Sequence, residues 1–158
     1  MAKRRHQKWL VIVLLIVGLF SLLYFLLMPD LSKLKKENPK KTALMEYREM
    51  ASKEKRKTYR IYQSWVPFSK MSPYLIKAVL ISEDDKFWKH EGFDYEAIQK
   101  AIEKDLKAKK FKFGGSTITQ QLARNLYLSP EKSLIRKISE AVITWRMEQT
   151  LSKKRILE

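Results

Sequence analysis

The sequence predicts a mainly α-helical domain carried behind one N-terminal transmembrane helix. Three observations predict it: a charge-free apolar run near the start, capped segments with helical apolar spacing, and almost no strand-like alternation.

The apolar run from Trp9 to Met28 is 20 residues long and holds no charged side chain. As a helix rising ~1.5 Å per residue it reaches ~30 Å, the thickness of a bilayer's hydrocarbon core. Trp9 and Tyr24 suit the interfacial preference of aromatic rings. A cleaved signal peptide is the rival reading, but its apolar region usually runs only ~7–15 residues. No small-residue cleavage pattern follows at Met28-Pro29-Asp30-Leu31. Residues 1–8 therefore read as a tail and 9–28 as an uncleaved anchor. Lys3, Arg4, Arg5 and Lys8 precede the anchor, while Lys33, Lys35, Lys36, Lys40 and Lys41 follow it. Charge alone leaves the orientation open.

Residues 29–58 are rich in Lys and Glu and read as a juxtamembrane stalk, partly helical around Thr42–Lys57. Two readings stand: a solvated linker, or a basic segment held near anionic headgroups at about 1 kcal/mol per cation. From Tyr59 the composition becomes globular. Tyr59–Val66 reads as extended and stops at Pro67. Ser72-Pro73 opens a helix whose apolar face is Leu75, Ile76, Val79 and Leu80, with Glu83 on the same face. Asp94 caps a helix with the stripe Ala97, Ile98, Ala101, Ile102 and Leu106. A basic, aromatic loop follows, from Lys107 to Phe113. Thr117 and Gln120 have capping-box spacing for a helix that runs to about Leu128. Ser129-Pro130 opens the next, with the stripe Leu134, Ile138, Ala141, Val142 and Trp145, and Ser152 caps a last one.

Across the chain 33 Lys and Arg oppose 17 Asp and Glu, a formal charge of +16. That balance points to an anionic partner: nucleic acid, acidic lipid or a phosphate-bearing substrate. The absence of cysteine excludes a disulfide scaffold, a zinc-thiolate site and a cysteine nucleophile.

Three clusters carry chemistry: Glu83–Asp94, Gly114–Gln121 and Arg136–Glu140. Glu83 allows two readings. Among apolar side chains its carboxyl would lose hydration and become a better proton acceptor; at an open helix end it would simply face water. His90 is a second possible base or a structural hydrogen-bonder. It has no partner at ligand spacing, which argues against zinc. Gly114–Gln121 puts small residues before a helix N-terminus, fit for an anion or sugar oxygens, or for an ordinary turn and cap; the Walker pattern is missing. Lys132, Arg136 and Glu140 recur at i+4 beside Lys137. They make surface salt bridges worth about 0.3–0.5 kcal/mol each, or a cationic face for a pyrophosphate, with Glu140 orienting the cations or a metal ion. Gln121 and Arg124 on the preceding helix could join that face.

Taken in order, EDDKFWKHEGFD at 83–94, GGSTITQQLARNLYL at 114–128, RKISE at 136–140 and KKRILE at 153–158 resemble the motifs of glycosyltransferase family 51, the peptidoglycan polymerases, most nearly its monofunctional members. The resemblance covers residues 60–158. It implies a lysozyme-like fold on the outer face of a bacterial cytoplasmic membrane, with the N-terminus in the cytoplasm. It further implies lipid II and the growing glycan as substrates, membrane lipids as surroundings, and penicillin-binding proteins or other wall-synthesis proteins as partners. Glu83 would deprotonate the acceptor's sugar hydroxyl, and Glu140 would be the second carboxylate, near the pyrophosphate. Arg124, Lys132, Arg136 and Lys137 would bind phosphates, and Ser116, Thr117, Gln120 and Gln121 would line the sugar cleft. Asp84, Phe87 and His90 join the substrate-binding set. No cofactor is required by these motifs; a divalent cation, Mg or Mn, beside Glu140 is the one option left open, and the Lys107–Phe113 loop would lie against the membrane or form a mobile basic surface.

The family's fourth motif continues into Tyr-Leu-Asn, whereas this sequence stops at Glu158. Residues 59–158 are therefore expected to be a partial domain. The alternative to an inverting polymerase is a non-catalytic, membrane-anchored lipid II-binding scaffold. A hydrolase with paired carboxylates is a third reading. A nucleic-acid binder is disfavoured because no recognised binding motif is present.

Overall fold

The computed structural model describes residues 2–56, 58–109 and 114–158. They form two compact units that divide between Asp30 and Leu31. The described residues contain helices and no strand.

The first unit is the helix α1, Ala2–Leu26. Its stretch Lys8–Leu26 is long and apolar enough to cross a membrane, and none of it is buried by protein. The predicted run overshoots by two residues: Leu27 and Met28 leave the helix ahead of Pro29, whose ring cannot continue it.

The second unit holds α2 (Ala43–Glu54), α3 (Pro73–Glu83), α4 (Tyr95–Ala108), α5 (Ile118–Tyr127), α6 (Leu134–Thr150) and α7 (Lys153–Leu157), with short 3-10 turns at Ser32–Lys35, Phe68–Lys70 and Phe87–Lys89. Its helix starts are set by side-chain caps. Thr42 accepts from the Met45 amide at 3.1 Å, Asp94 from Ala97 at 2.9 Å and Ser152 from Arg155 at 3.2 Å. Ser72 occupies the N-cap of α3 with Pro73 behind it, but its hydroxyl makes no capping bond.

Helix α5 is the centre of the unit. It packs on α6, and α2 and α7 pack on it in turn. Phe87, Ala123, Ile143, Met147, Leu151, Ile156 and Leu31 form the apolar core.

Within the predicted stalk, residues 29–58, Leu31 is buried and the residues from 31 onward belong to the second unit. Arg155 fastens this stretch to α7. Its guanidinium donates to the Leu34 carbonyl at 2.6 Å, the Glu37 carbonyl at 2.8 Å and the Asn38 Oδ1 at 2.8 Å. A fourth bond reaches Glu158 at 3.1 Å. Lysine and glutamate content hid this, because the bonds are to backbone and come from a residue far along the chain.

Two further expectations fail on α6. The helix begins at Leu134, not at Pro130. Ser133 accepts from the Arg136 amide at 3.1 Å and is the cap, while Ser129 closes a local turn by accepting from Glu131 at 3.2 Å. Three members of the apolar stripe are also exposed, Leu134 at 84%, Trp145 at 51% and Ile138, while Ala141 and Val142 are half-buried. The buried face is Glu140, Ile143, Thr144 and Met147. It can be buried because its polar groups are satisfied, including the Thr144 hydroxyl on the Glu140 carbonyl at 2.7 Å. On α4, Ala97, Ile98 and Ala101 are half-buried, while Ile102 and Leu106 stay exposed. Lys107 and Ala108 extend that helix, and Lys109 ends it with φ of 48°. The rest of the predicted basic loop, residues 110–113, lies outside the described residues.

Candidate active site

Helix α3 delivers Glu83 at its last position and Asp84 as its C-cap. Of the two readings of Glu83, the open one holds: the residue is exposed. The cause is the face it sits on. Leu75 is 59% exposed, and α3 contains no buried residue, so nothing strips water from the carboxylate. It is nevertheless placed, because the Gln121 amide donates to its Oε2 at 2.9 Å. That bond brings Glu83 to the first turn of α5, the helix that carries Arg124. Arg124 is half-buried, and its guanidinium makes no hydrogen bond or ion pair among the described residues.

Asp84 is the pin beneath. One of its oxygens accepts from the Ile118 amide at 3.0 Å, an unpaired donor at the start of α5 where a carboxylate also meets the favourable end of the helix dipole. The other accepts from His90 Nε2 at 2.9 Å. His90 Nδ1 accepts from the Gly92 amide at 3.1 Å, so the ring proton sits on Nε2. His90 is thus a link between loop and carboxylate, the structural role weighed against that of a base. Nearby Lys86 donates to Glu96 on α4. Their hydrogen bond holds the Glu96 carboxyl below, and the Lys86 ammonium above, their usual ranges.

The predicted capping box is present. Thr117 Oγ1 accepts from the Gln120 amide at 3.2 Å, and Gln120 Oε1 accepts from the Thr117 amide at 3.0 Å. The Thr117 hydroxyl donates to the Gly92 carbonyl at 2.7 Å, tying the first motif to the second. Gly115 fits here because a Cβ would lie 3.1 Å from the Ala97 carbonyl oxygen and 3.2 Å from the Ile98 Cα. Phe87 is fully buried against Trp88 and His90, which makes it packing rather than cleft lining.

Segment Gly114–Ser116 borders two cavities. One, of about 160 Å³, is lined by Glu83, Asp84, Asp85, Asp94 and Thr117. The other, of about 290 Å³, is lined by Ile98, Ala101, Ile102, Asp105, Gln120 and Lys137. A strongly acidic hollow and one that carries both Lys137 and Asp105 therefore lie on a shared wall. On the cationic side Glu140 is 0% exposed and accepts from Arg136 at 2.6 Å and Lys137 at 2.5 Å. The surface salt bridges expected from spacing are thus centred on a buried carboxylate. Lys132 does not share their helical face; it is exposed and precedes the Ser133 cap. Both Glu140 oxygens are engaged, and no three His, Asp or Glu residues group at metal-binding distance among the described residues.

Sequence reasoning missed Glu148. It is half-buried on α6, with its side chain 5% exposed, and accepts from the Thr119 hydroxyl at 2.5 Å and from Lys153 at 2.8 Å. The signal was available: 140, 144 and 148 are spaced by one helical turn each, so Glu148 shares the buried face of Glu140.

Residues 48–158 match the family model described as Transglycosylase, and the chain belongs to that family. It is similar to the biosynthetic peptidoglycan transglycosylase of Nitrosospira multiformis, 48% identical over 121 residues covering 77% of this chain and 53% of that protein. The protein of the same name from Dechloromonas aromatica is 44% identical over 152 residues, 96% of this chain and 66% of the relative. In Methylobacillus flagellatus the figures are 39% over 158 residues, 100% and 68%. The chain spans about half to two thirds of the length of these curated relatives.

Proposed function

We propose that this protein is an inverting glycosyltransferase that joins lipid II units into β-1,4 glycan strands and releases polyprenyl pyrophosphate. The observation that carries the reading is the wall shared by the two cavities, with the Glu83 carboxylate on one side and Lys137, held by buried Glu140, on the other. The reaction needs a proton acceptor for the incoming sugar hydroxyl and cations for the departing diphosphate.

Glu83 takes the proton from the acceptor 4-hydroxyl while Gln121 aims its carboxylate. The freed oxygen attacks the anomeric carbon of the growing chain from the face opposite the diphosphate, which leaves with the bonding pair. Lys137, Arg136 and Arg124 stabilise the charge that develops on it. Glu140 fixes two of these cations in advance, so little reorganisation remains for the transition state. A sugar seated over the acidic hollow displaces the water that Glu83 otherwise meets. The membrane-crossing helix would keep the enzyme in the plane of its lipid-linked substrate, with the N-terminus cytoplasmic and the second unit outside.

Incubation of the purified chain with labelled lipid II should yield glycan polymer, and Glu83→Gln should abolish it while leaving lipid II binding intact. Polymer from the variant would remove Glu83 from the role of base. Binding without polymer in the unaltered chain would favour the non-catalytic scaffold.

A further inference from the structure

Carboxylates with little exposed surface are uncommon, and Glu148, whose side chain is 5% exposed, is one that the proposed chemistry does not use. It reaches three parts of the site frame at once. Its carboxylate takes the Thr119 hydroxyl at 2.5 Å in the first turn of α5, and Thr119 is itself fully buried. It pairs at 2.8 Å with Lys153, whose ammonium lies 4.5 Å from the centre of the Phe87 ring. Its own stem fills the space beside Gly92, where an added Cβ would come within 3.0 Å of its Cγ.

Each contact bears on a group placed near the cavities. Thr119 sits between Ile118, whose amide holds Asp84, and Gln121, whose amide holds Glu83. Phe87 and Gly92 bracket His90, the other partner of Asp84. The pair is well shielded, with side-chain exposures of 5% for Glu148 and 20% for Lys153. A charged pair so placed is a weak source of net stability, since an apolar pair of similar volume can replace it at little cost. Its specific contribution is geometric: a doubly held carboxylate with one favourable position.

We propose that Glu148 is a positioning residue that sets the 87–92 loop and the start of α5 in register, and thereby aims the Glu83 carboxylate. The proposal rests on the glycosyltransfer reading for its kinetic consequence but not for its structural one.

The test uses the full chain and the variants Glu148→Gln, Thr119→Val and the apolar double variant Glu148→Leu/Lys153→Met. With lipid II, Glu148→Gln should lower kcat by about 100-fold, as expected for a misplacement near 1 Å, with KM changed less than about 2-fold. The double variant should regain the melting temperature of the unaltered protein but not its kcat. Recovery of kcat together with melting temperature would overturn the proposal, since the pair would then be mere support. Thr119→Val, which keeps shape and loses the hydroxyl, covers the case in which Glu148→Gln fails to fold. Hydrogen exchange gives a readout independent of turnover: the Gly92 and Ile118 amides should exchange about 10-fold faster in either single variant. Unchanged protection there would also overturn it. If the unaltered chain makes no polymer while those amides respond, the glycosyltransfer reading fails and the positioning role stands.

Discussion

Replacing Gly92 by alanine would strain the joint between the first two motifs, and the structure gives the size of the effect. Gly92 has φ of +87°, a region that side chains with a Cβ rarely enter. Holding an L-residue in left-handed backbone costs about 1–2 kcal/mol. The new Cβ would also lie 2.8 Å from the Thr144 Cγ2 and 3.0 Å from the Glu148 Cγ. Neither atom can yield cheaply. Thr144 is fully buried and bonded through its hydroxyl to the Glu140 carbonyl, and Glu148 is held by Thr119 and Lys153. Overpacking of that kind adds about 1–3 kcal/mol, so Gly92→Ala should destabilise the second unit by about 2–5 kcal/mol.

Denaturant titration of the detergent-solubilised chain, followed by tryptophan fluorescence, measures this loss. The two causes separate in the double variant Gly92→Ala/Thr144→Ser. Serine keeps the hydroxyl that bonds Glu140 and deletes the methyl that the new Cβ would strike. Part of the loss should return, leaving the backbone cost of about 1–2 kcal/mol and the remaining contact with Glu148. A single variant within about 0.5 kcal/mol of the unaltered protein, the range of an ordinary surface change, would refute the reasoning. So would a double variant with no recovery.

Two other expectations concern charge. Glu140→Gln leaves Arg136 and Lys137 around a neutral amide and should cost about 3 kcal/mol in the same titration, the lower end for breaking a buried pair because Lys137 is half in water; Lys137→Met should cost less than about 1 kcal/mol. On α2, hydrogen bonds from Lys41 and then Lys53 lower the Glu49 carboxyl from 4.5 to about 2. Its contribution to stability is therefore complete above the ordinary carboxylate range and is lost as pH falls from about 4.5 through about 2. Carbon-13 NMR of the Glu49 carboxyl should show the low midpoint, and Lys41→Met should raise it.

Most of this architecture was legible because it is local. Caps at Thr42, Asp94, Thr117 and Ser152 lie within three residues of the amides they satisfy, and apolar length alone identified α1. Errors arose where long-range satisfaction overrode local preference. Apolar spacing placed Leu134, Ile138 and Trp145 inside, yet α6 turns its hydrogen-bonded polar face inward. Composition made residues 29–58 a stalk, yet Arg155 reaches back over more than a hundred positions to hold the carbonyls of Leu34 and Glu37. Spacing also gave Lys132 a helical partner in Arg136, whereas Ser133 starts the helix one residue too late for that. Each miss involves a bond whose partner lies on another element or on the backbone, and periodicity carries no record of either.

Polar side chains make up about as much of the interior as apolar ones. Asp84, Asp94, Thr117, Thr119, Gln120, Ser139, Glu140 and Thr144 are buried beside a core of seven apolar residues. Buried polar groups stabilise only when their partners are in place, so in this unit the bonds that shape the site are also bonds that hold the fold. A substitution at Asp84, Thr117 or Glu140 removes both together, and lost activity at those positions does not by itself assign a chemical role. Glu83 and Lys137 differ: each is exposed, and each meets the frame through a side-chain hydrogen bond, to Gln121 and to Glu140 respectively. Chemistry and folding separate at these two residues, so turnover measured at unchanged stability in Glu83→Gln and Lys137→Met bears directly on the proposed acid-to-cation geometry.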